Sequence, residues 1–401
     1  MTLPTPAGQA DHARFPHVDA LRALAALSVL VFHASVYSGL STNGAVGAVT
    51  ARLDLGVTLF FLISGFLLYR PYVAARCGGP AALPLGEFYR RRLLRIVPAY
   101  WVALLALAAW PGLGGGVTSL PGGLRYFLFA QNLSLDTVLQ GIGPAWTLCV
   151  EMSFYATLPL YAALAGRWLS GRAPAAQARR ELWLLAGLAV VSVGLRELQH
   201  AVLDTGRGPV LAFLLPSFLL WFGLGMGLAV LSATRAAPRL HAAVARRPGT
   251  CWLLAAALLA LAAFGMDLPR GFLGAYTDLS WAGEHVVYAL IALCLLAPAT
   301  LGTGGGGALR RVLAWRPLAL VGLVSYGIYL YHLPLLIEFG RRGWPHRVAP
   351  FAPTLGSAVL TFAAAGACAT VSYLVVERPF LARKRRARAA VSPAVSPVPA
   401  D

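Results

Sequence analysis

The feature that most restricts this chain is the recurrence of apolar runs about 20 residues long, each able to carry a helix across a roughly 30 Å hydrocarbon layer. Such runs lie near residues 18–38, 53–72, 96–112, 145–165, 182–200, 210–231, 250–266, 282–300, 317–338 and 354–376. Lipid offers no hydrogen bonds, so each run must satisfy its backbone N–H and C=O groups internally, as an α-helix does. Of the 401 residues, 58% are hydrophobic and 12% charged, too apolar for a protein that coats itself in water. The expected fold is all-α: a polytopic integral membrane helical bundle of about 10 transmembrane helices.

A net charge of +18 raises the question of nucleic acid, but the basic residues are nearly all arginine and are dispersed between the apolar runs. They read as topology determinants and lipid-headgroup contacts, with no nucleic-acid partner expected. If the N-terminus lies inside, the inner segments hold 25 of the 33 Lys and Arg residues and the outer segments 8. That bias predicts an N-in, C-in orientation; the basic "GRRGWPHRVAP" after the ninth run falls on the wrong side. The start, "MTLPTPAGQADHARFPHVDA", is polar and leads into a full-length span, so the first helix is expected to stay as a signal anchor. The chain divides into a polar segment 1–15, a membrane domain 16–381 and a tail 382–401, basic then Ala/Pro-rich and expected to be disordered in the cytoplasm. The long outer segment 113–144 carries a Gly/Pro-rich stretch, "PGLGGGVTSLPGG", and an amphipathic "LRYFLFAQNL" suited to a membrane surface. The five cysteines are scattered without metal-ligand spacing, and no metal is expected.

Against this apolar background the ionisable residues stand out. In "DALRALAALSVLVFHAS", eleven steps of about 100° bring His33 back to the face of Arg22, about 16 Å along the axis. Counted from the span ends, His33, Glu151 in "AWTLCVEMSFY" and His332 in "SYGIYLYHLPLL" all lie about 8–9 Å below the outer surface. Ionisable groups at such depth face a cavity or a partner. Each alone reads equally as a polar contact between helices; together they read as a reactive site, since a carboxylate that orients an imidazole makes it a general base. Arg22, three residues after Asp19, sits at the inner end, as does the cluster Arg90, Arg91, Arg92 and Arg95 in "EFYRRRLLRIVPAYW". Guanidinium groups bind phosphate bidentately, so this end suits a polyphosphate as well as a positive-inside anchor. In "GVTLFFLISGFLLYRPY", Gly56, Ser64 and Gly65 read chiefly as close-packing residues. "VVERPF" reads as a helix end with a Glu377–Arg378 ion pair.

With these motifs the chain resembles the membrane-bound acyltransferase-3 family, bacterial O-acyltransferases acting on sugars and natural products. In order, "LRALAALSVLVFH" matches the family's Arg-x10-His, "GVTLFFLISGFL" its second-helix signature, "RRLLR" its Arg-Arg-x-x-Arg, and "WTLCVEMSFY" its Trp-Ser-Leu-x-x-Glu segment; "SYGIYLYHLP" and "VERPF" follow. The match covers roughly residues 15–381, with departures at Ala20, Ala23, Thr58 and Thr147. The resemblance implies transfer of an acyl group, acetyl above all, from cytosolic acyl-CoA to a hydroxyl of a carbohydrate, glycolipid or glycosylated natural product at a bacterial plasma membrane. It implies His33 as catalytic base supported by Glu151, and Arg22, Arg91, Arg92 and Arg95 at the donor. His332, with Ser325 and Tyr155 in the same two motif segments, is expected at the substrate. The rival reading from the residues is a polytopic transporter, although the paired broken helices of two related halves are not apparent; a catalytically idle scaffold is a third.

Overall fold

The computed structural model describes Phe15 and residues 17–110, 116–201, 208–271, 276–302, 307–349 and 351–380. The polar segment 1–14, the tail from residue 381 and positions 111–115 of the Gly-rich stretch lie outside the described residues. Among the described residues every regular element is helical. The long helices are α1 (His17–Tyr37), α2 (Gly56–Arg76), α3 (Leu85–Ala108), α4 (Trp146–Leu169), α5 (Pro174–Ala201), α6 (Leu219–Thr234), α7 (Pro248–Phe264) and α8 (Asp278–Thr300). They are followed by the short α9 (Arg316–Leu323), then α10 (Ser325–Arg341) and α11 (Pro353–Ser372).

Six helical segments are long and apolar enough to span a membrane, and the number rises to eight when two bent pairs each count as one span. The pairs are Pro238–Arg246 with α7, bent by 83°, and α9 with α10, bent by 71°. Of the ten expected runs, those near 96–112 and 182–200 fall in α3 and α5, which are outside this count. Both reach far enough, about 36 and 42 Å at the helical rise. Their N-terminal halves carry Glu87 with four arginines and Arg179–Arg180–Glu181, which lower their hydropathy.

Glycines set how closely the central helices approach. A Cβ on Gly225 of α6 would stand 2.0 Å from Leu62 O of α2, and one on Gly65 of α2 would stand 2.3 Å from Phe222 O of α6. Backbone therefore meets backbone across this pair, which builds its contact from van der Waals packing where lipid supplies no hydrophobic drive. Beside the contact, Phe222 stacks on Phe61 at 4.6 Å and on Phe154 of α4 at 4.0 Å between ring centroids, tying three helices into one core. At the far end of α2, buried Glu181 of α5 accepts hydrogen bonds from Tyr69 and, at 2.5 Å, from Arg76.

The break between α9 and α10 falls inside an apolar run that reads as one helix. Gly322 there lies against the start of α1, where an added Cβ would be 1.9 Å from Asp19 O. Ser325, the first residue after the break, donates from its hydroxyl to Gly322 O at 2.8 Å. The C-terminal end also departs from expectation. Residues Tyr373–Glu377 form a π-helical turn, and Glu377 is buried toward α3, within electrostatic reach of Arg95. Among the described residues no ion pair joins it to Arg378.

Overpacking a closely approached pair costs about 1–3 kcal/mol. Gly225→Ala is therefore expected to lower the thermal midpoint of the detergent-solubilised protein by several degrees. Gly187→Ala, whose Cβ would meet nothing within 4 Å, is the control and is expected to leave it unchanged or raise it.

Candidate active site

Helix α1 carries Arg22 and His33 on one stripe, and each end meets a different set of neighbours. At the His33 end the partner is α10. His332, 1% exposed, brings its Nε2 to 3.2 Å from His33 Nδ1, and the ring centroids are 5.0 Å apart. His33 Nδ1 also lies 2.8 Å from Val29 O, one turn back on its own helix, and His332 Nδ1 lies 2.8 Å from Tyr329 O. A carbonyl only accepts, so each Nδ1 carries a hydrogen. His332 Nε2 is then a lone pair that accepts from His33 Nδ1–H, and His33 Nε2 is left unprotonated. The two imidazoles form a directed chain that leaves the basic lone pair of His33 on Nε2.

Tyr329 fixes the next link. Its hydroxyl donates to Pro144 O at 3.0 Å and lies 2.9 Å from the Thr147 hydroxyl, which itself donates to Pro144 O at 3.0 Å. α10 is thus fastened to the N-terminal end of α4, one turn from Glu151. Tyr329 and Thr147 did not stand out in the sequence as site residues. The signal was there for Tyr329, since i, i+3 spacing places it beside His332 on a helix. For Thr147 it was the hydroxyl at the motif's serine position.

Glu151 occupies an intermediate level, and its partners differ from those its sequence position suggested. Its Oε1 accepts from Ser64 of α2 at 2.6 Å, and buried Tyr155 hydrogen-bonds to it from the next turn. It lies within electrostatic reach of Arg22 on one side and Tyr329 on the other. The groups that orient the His33 ring are Val29 O and His332. Ser64, read from the sequence chiefly as a packing residue, holds the carboxylate, and the close approach belongs to Gly65.

At the opposite end, Arg22 sits 3.9 Å from Asp19 and near Arg95. Arg92 and Arg95 both lie within reach of Tyr155, and the Arg92 guanidinium lies over the Phe88 ring at 6.0 Å. Arg91 is held by its own helix: its Nε meets Glu87 Oε1 at 2.5 Å, and Arg90 meets the other oxygen at 2.8 Å. The structure brings Arg22, Arg92, Arg95, Glu151 and Tyr155 together, places His33 and His332 together beyond them, and sets Ser325 at the helix break. Among the described residues no three His, Cys, Asp or Glu side chains converge as metal ligands.

The acyltransferase-3 family profile, described as an acyltransferase domain, matches residues 15–376. The acyltransferase MdmB of Streptomyces mycarofaciens is 28% identical over 96% of this chain and 97% of its own length. YrhL of Bacillus subtilis is 26% identical over 81% of this chain and 49% of its own. The peptidoglycan O-acetyltransferase OatA of Listeria monocytogenes is 22% identical over 91% of this chain and 55% of its own. The chain thus spans about half the length of these last two relatives. No solved structure matches it at a significant level.

The hydrogen-bond chain makes a spectroscopic prediction. With 15N-labelled histidine, both imidazoles are expected to show the Nδ1–H tautomer in the neutral state. His332→Ala is expected to keep His33 in the Nδ1–H tautomer, because Val29 O still accepts from it, and to shift the His33 Nδ1 resonance through loss of the second acceptor.

Proposed function

The chain belongs to this acyltransferase family, and from that premise we propose that it is a membrane-embedded O-acyltransferase. It moves an acyl group, acetyl first among the candidates, from cytosolic acyl-CoA to a hydroxyl of a carbohydrate, glycolipid or glycosylated natural product. The membrane domain has ten spans with both termini inside, in a bacterial plasma membrane; α3 and α5 supply the two spans whose arginines lower their hydropathy. The relatives' names support acyl transfer, and for one of them a peptidoglycan acceptor.

The observation that carries the reading is the His332–His33 pair, in which both His33 contacts of the chain fall on Nδ1, so that Nε2 is the nitrogen that can hold the lone pair. A hydroxyl is a weak nucleophile until a base within hydrogen-bond reach takes its proton. His33 Nε2 takes it, the oxygen forms a bond to the thioester carbonyl, and the carbon–sulfur bond then breaks. The proton held by His33 passes to the departing thiolate, which restores the free base. His332 is a positioning residue: its Nε2 lone pair faces the His33 Nδ1–H and stabilises the imidazolium while it exists. Arg22, Arg92 and Arg95 hold the donor's phosphates through charge-assisted hydrogen bonds. Glu151, held by Ser64 and Tyr155, offsets the arginine charge and fixes their geometry toward the base. Tyr155 positions Glu151, and Ser325 acts through the helix break.

Two kinetic signatures separate these roles, read by thiol release from acetyl-CoA with the protein in nanodiscs. His33→Ala is expected to lower kcat by about 10²–10⁴ with the donor KM little changed, the usual worth of a general base. Arg95→Ala is expected to raise the donor KM about tenfold or more, as loss of a charged hydrogen bond does. Thiol release that is indifferent to His33 would sink the proposal and favour a transporter.

A further inference from the structure

The segment between α3 and α4 turns back along α3 instead of resting on its end. Arg22 of α1 lies near Arg95 of α3, so both helices start at the arginine end and α3 finishes, at Ala108, at the His33 end. The Trp101 indole N–H donates to Phe127 O at 3.0 Å, the Tyr100 ring stacks on Phe129 at 4.5 Å between centroids, and Gln131 donates to the Tyr100 hydroxyl at 3.2 Å. Tyr100 stands about 12 Å along the axis from Ala108 at the helical rise. Residues 127–131 therefore sit well beneath the end of α3, beside the apolar run at 96–112.

The short helix Leu120–Phe127 in this segment has three distinct faces. Tyr126 is buried in one apolar core with Ala103, Leu104 and Leu107 of α3. Pro121 and Arg125 line a cavity of about 330 Å³ together with the exposed Asp136 and Gln140. Leu120, Leu124 and Leu128 follow one another at about 40° around a helix axis, and this stripe is 80%, 56% and 69% exposed. The non-helical backbone that follows is covered: buried Asn132 donates to Trp146 O at 2.8 Å and to Phe213 O at 2.7 Å.

The leucine stripe is continuous with the outside of α3. Trp101 and Leu105, one turn apart on that helix, are 43% and 59% exposed, and the Trp101 ring meets that of Phe127 at 6.0 Å. Phe127 in turn shares a helix face with Leu120 and Leu124, seven and three residues before it. One apolar surface thus passes from α3 onto the short helix. Resting on the reading that α3 spans the membrane, we propose that the segment is re-entrant: it enters the hydrocarbon from the His33 end without crossing, and its leucine stripe docks on lipid acyl chains. A helix tolerates that setting because it pairs its own backbone groups, and the Trp101 N–H, which needs a protein acceptor at such depth, has Phe127 O. Arg125 keeps its charge on the cavity side, so the helix parts acyl chains from water. This lies deeper than the surface helix expected from the sequence.

Photo-crosslinking tests the placement. Benzoylphenylalanine replaces Leu105, Leu124, Leu128 or Gln140, one at a time, in the full chain in nanodiscs of phosphatidylcholine and phosphatidylglycerol, and fragment masses locate each lipid adduct. All four positions are exposed, so the thermal midpoint is expected to hold. Acyl-chain adducts are expected at 105, 124 and 128, with yields at least tenfold above that at 140. His33→Ala is expected to give the same pattern, so the result stands apart from catalysis. Acyl-chain adducts at 105 but not at 124 or 128, adducts there to headgroups only, or an equal yield at 140 would overturn re-entry and leave α3 a span. Loss of the adduct at 105 as well would overturn both.

Discussion

A polar side chain within a lipid-embedded bundle must find its hydrogen-bond partner on a neighbouring helix. The contact between His33 and His332 is this constraint in its strongest form, and much of the architecture around it serves to let α1 and α10 meet. Gly322 admits the backbone of Asp19, and the 71° bend that follows redirects α10 along α1. Gly56 lets α2 press onto Ala25 O and the Ser28 hydroxyl, eight and five residues before His33 on α1. Above the pair, Ala34 packs with Leu333 and Leu336. A larger side chain at either glycine would hold the helices apart and leave two buried imidazoles competing for backbone carbonyls alone.

The axial order of the site was legible in the sequence because helical rise is nearly invariant. Arg22 and His33 are eleven residues apart in any α-helix, and the structure keeps them at opposite ends of one stripe. Azimuth was far less legible. Counting from span ends placed His33, Glu151 and His332 at one depth, but which of them touch depends on how each helix is rotated about its axis. That rotation is set by glycine contacts between residues distant in sequence. Hence Glu151 meets Ser64 rather than the imidazole. Arg91 illustrates the same limit locally: "RRLLR" brings all its arginines to one mouth, yet Arg90 and Arg91 fall within reach of Glu87 three and four residues before them, while Arg92 and Arg95 turn toward Tyr155.

The two departures of the backbone had weaker signals still. Nothing in "RPLALVGLVSYGIYLYHL" interrupts hydropathy, so the break at Val324 is a response to packing against α1. The π-turn at Tyr373–Glu377 likewise follows from what it delivers, a buried carboxylate facing the Arg95 side of α3.

The choice of a second imidazole where a carboxylate is the usual orienting partner has a physical reason. A carboxylate buried beside His33 would bring a fixed negative charge to a depth where isolated ions are strongly penalised. A neutral imidazole offers one lone pair of the right direction without that charge, and its other nitrogen is satisfied by Tyr329 O. Glu151 stands instead on the side of Arg22 and Arg95, where its charge is balanced. The bundle thus separates its functions along α1. Arg22, Arg92, Arg95 and Glu151 gather at the arginine end, and the two imidazoles, whose states differ only in where a proton sits, meet at the other. On the proposed reading this is what acyl transfer in a membrane needs, because the donor's phosphates demand cations while the new ester bond demands a base that carries charge only in passing.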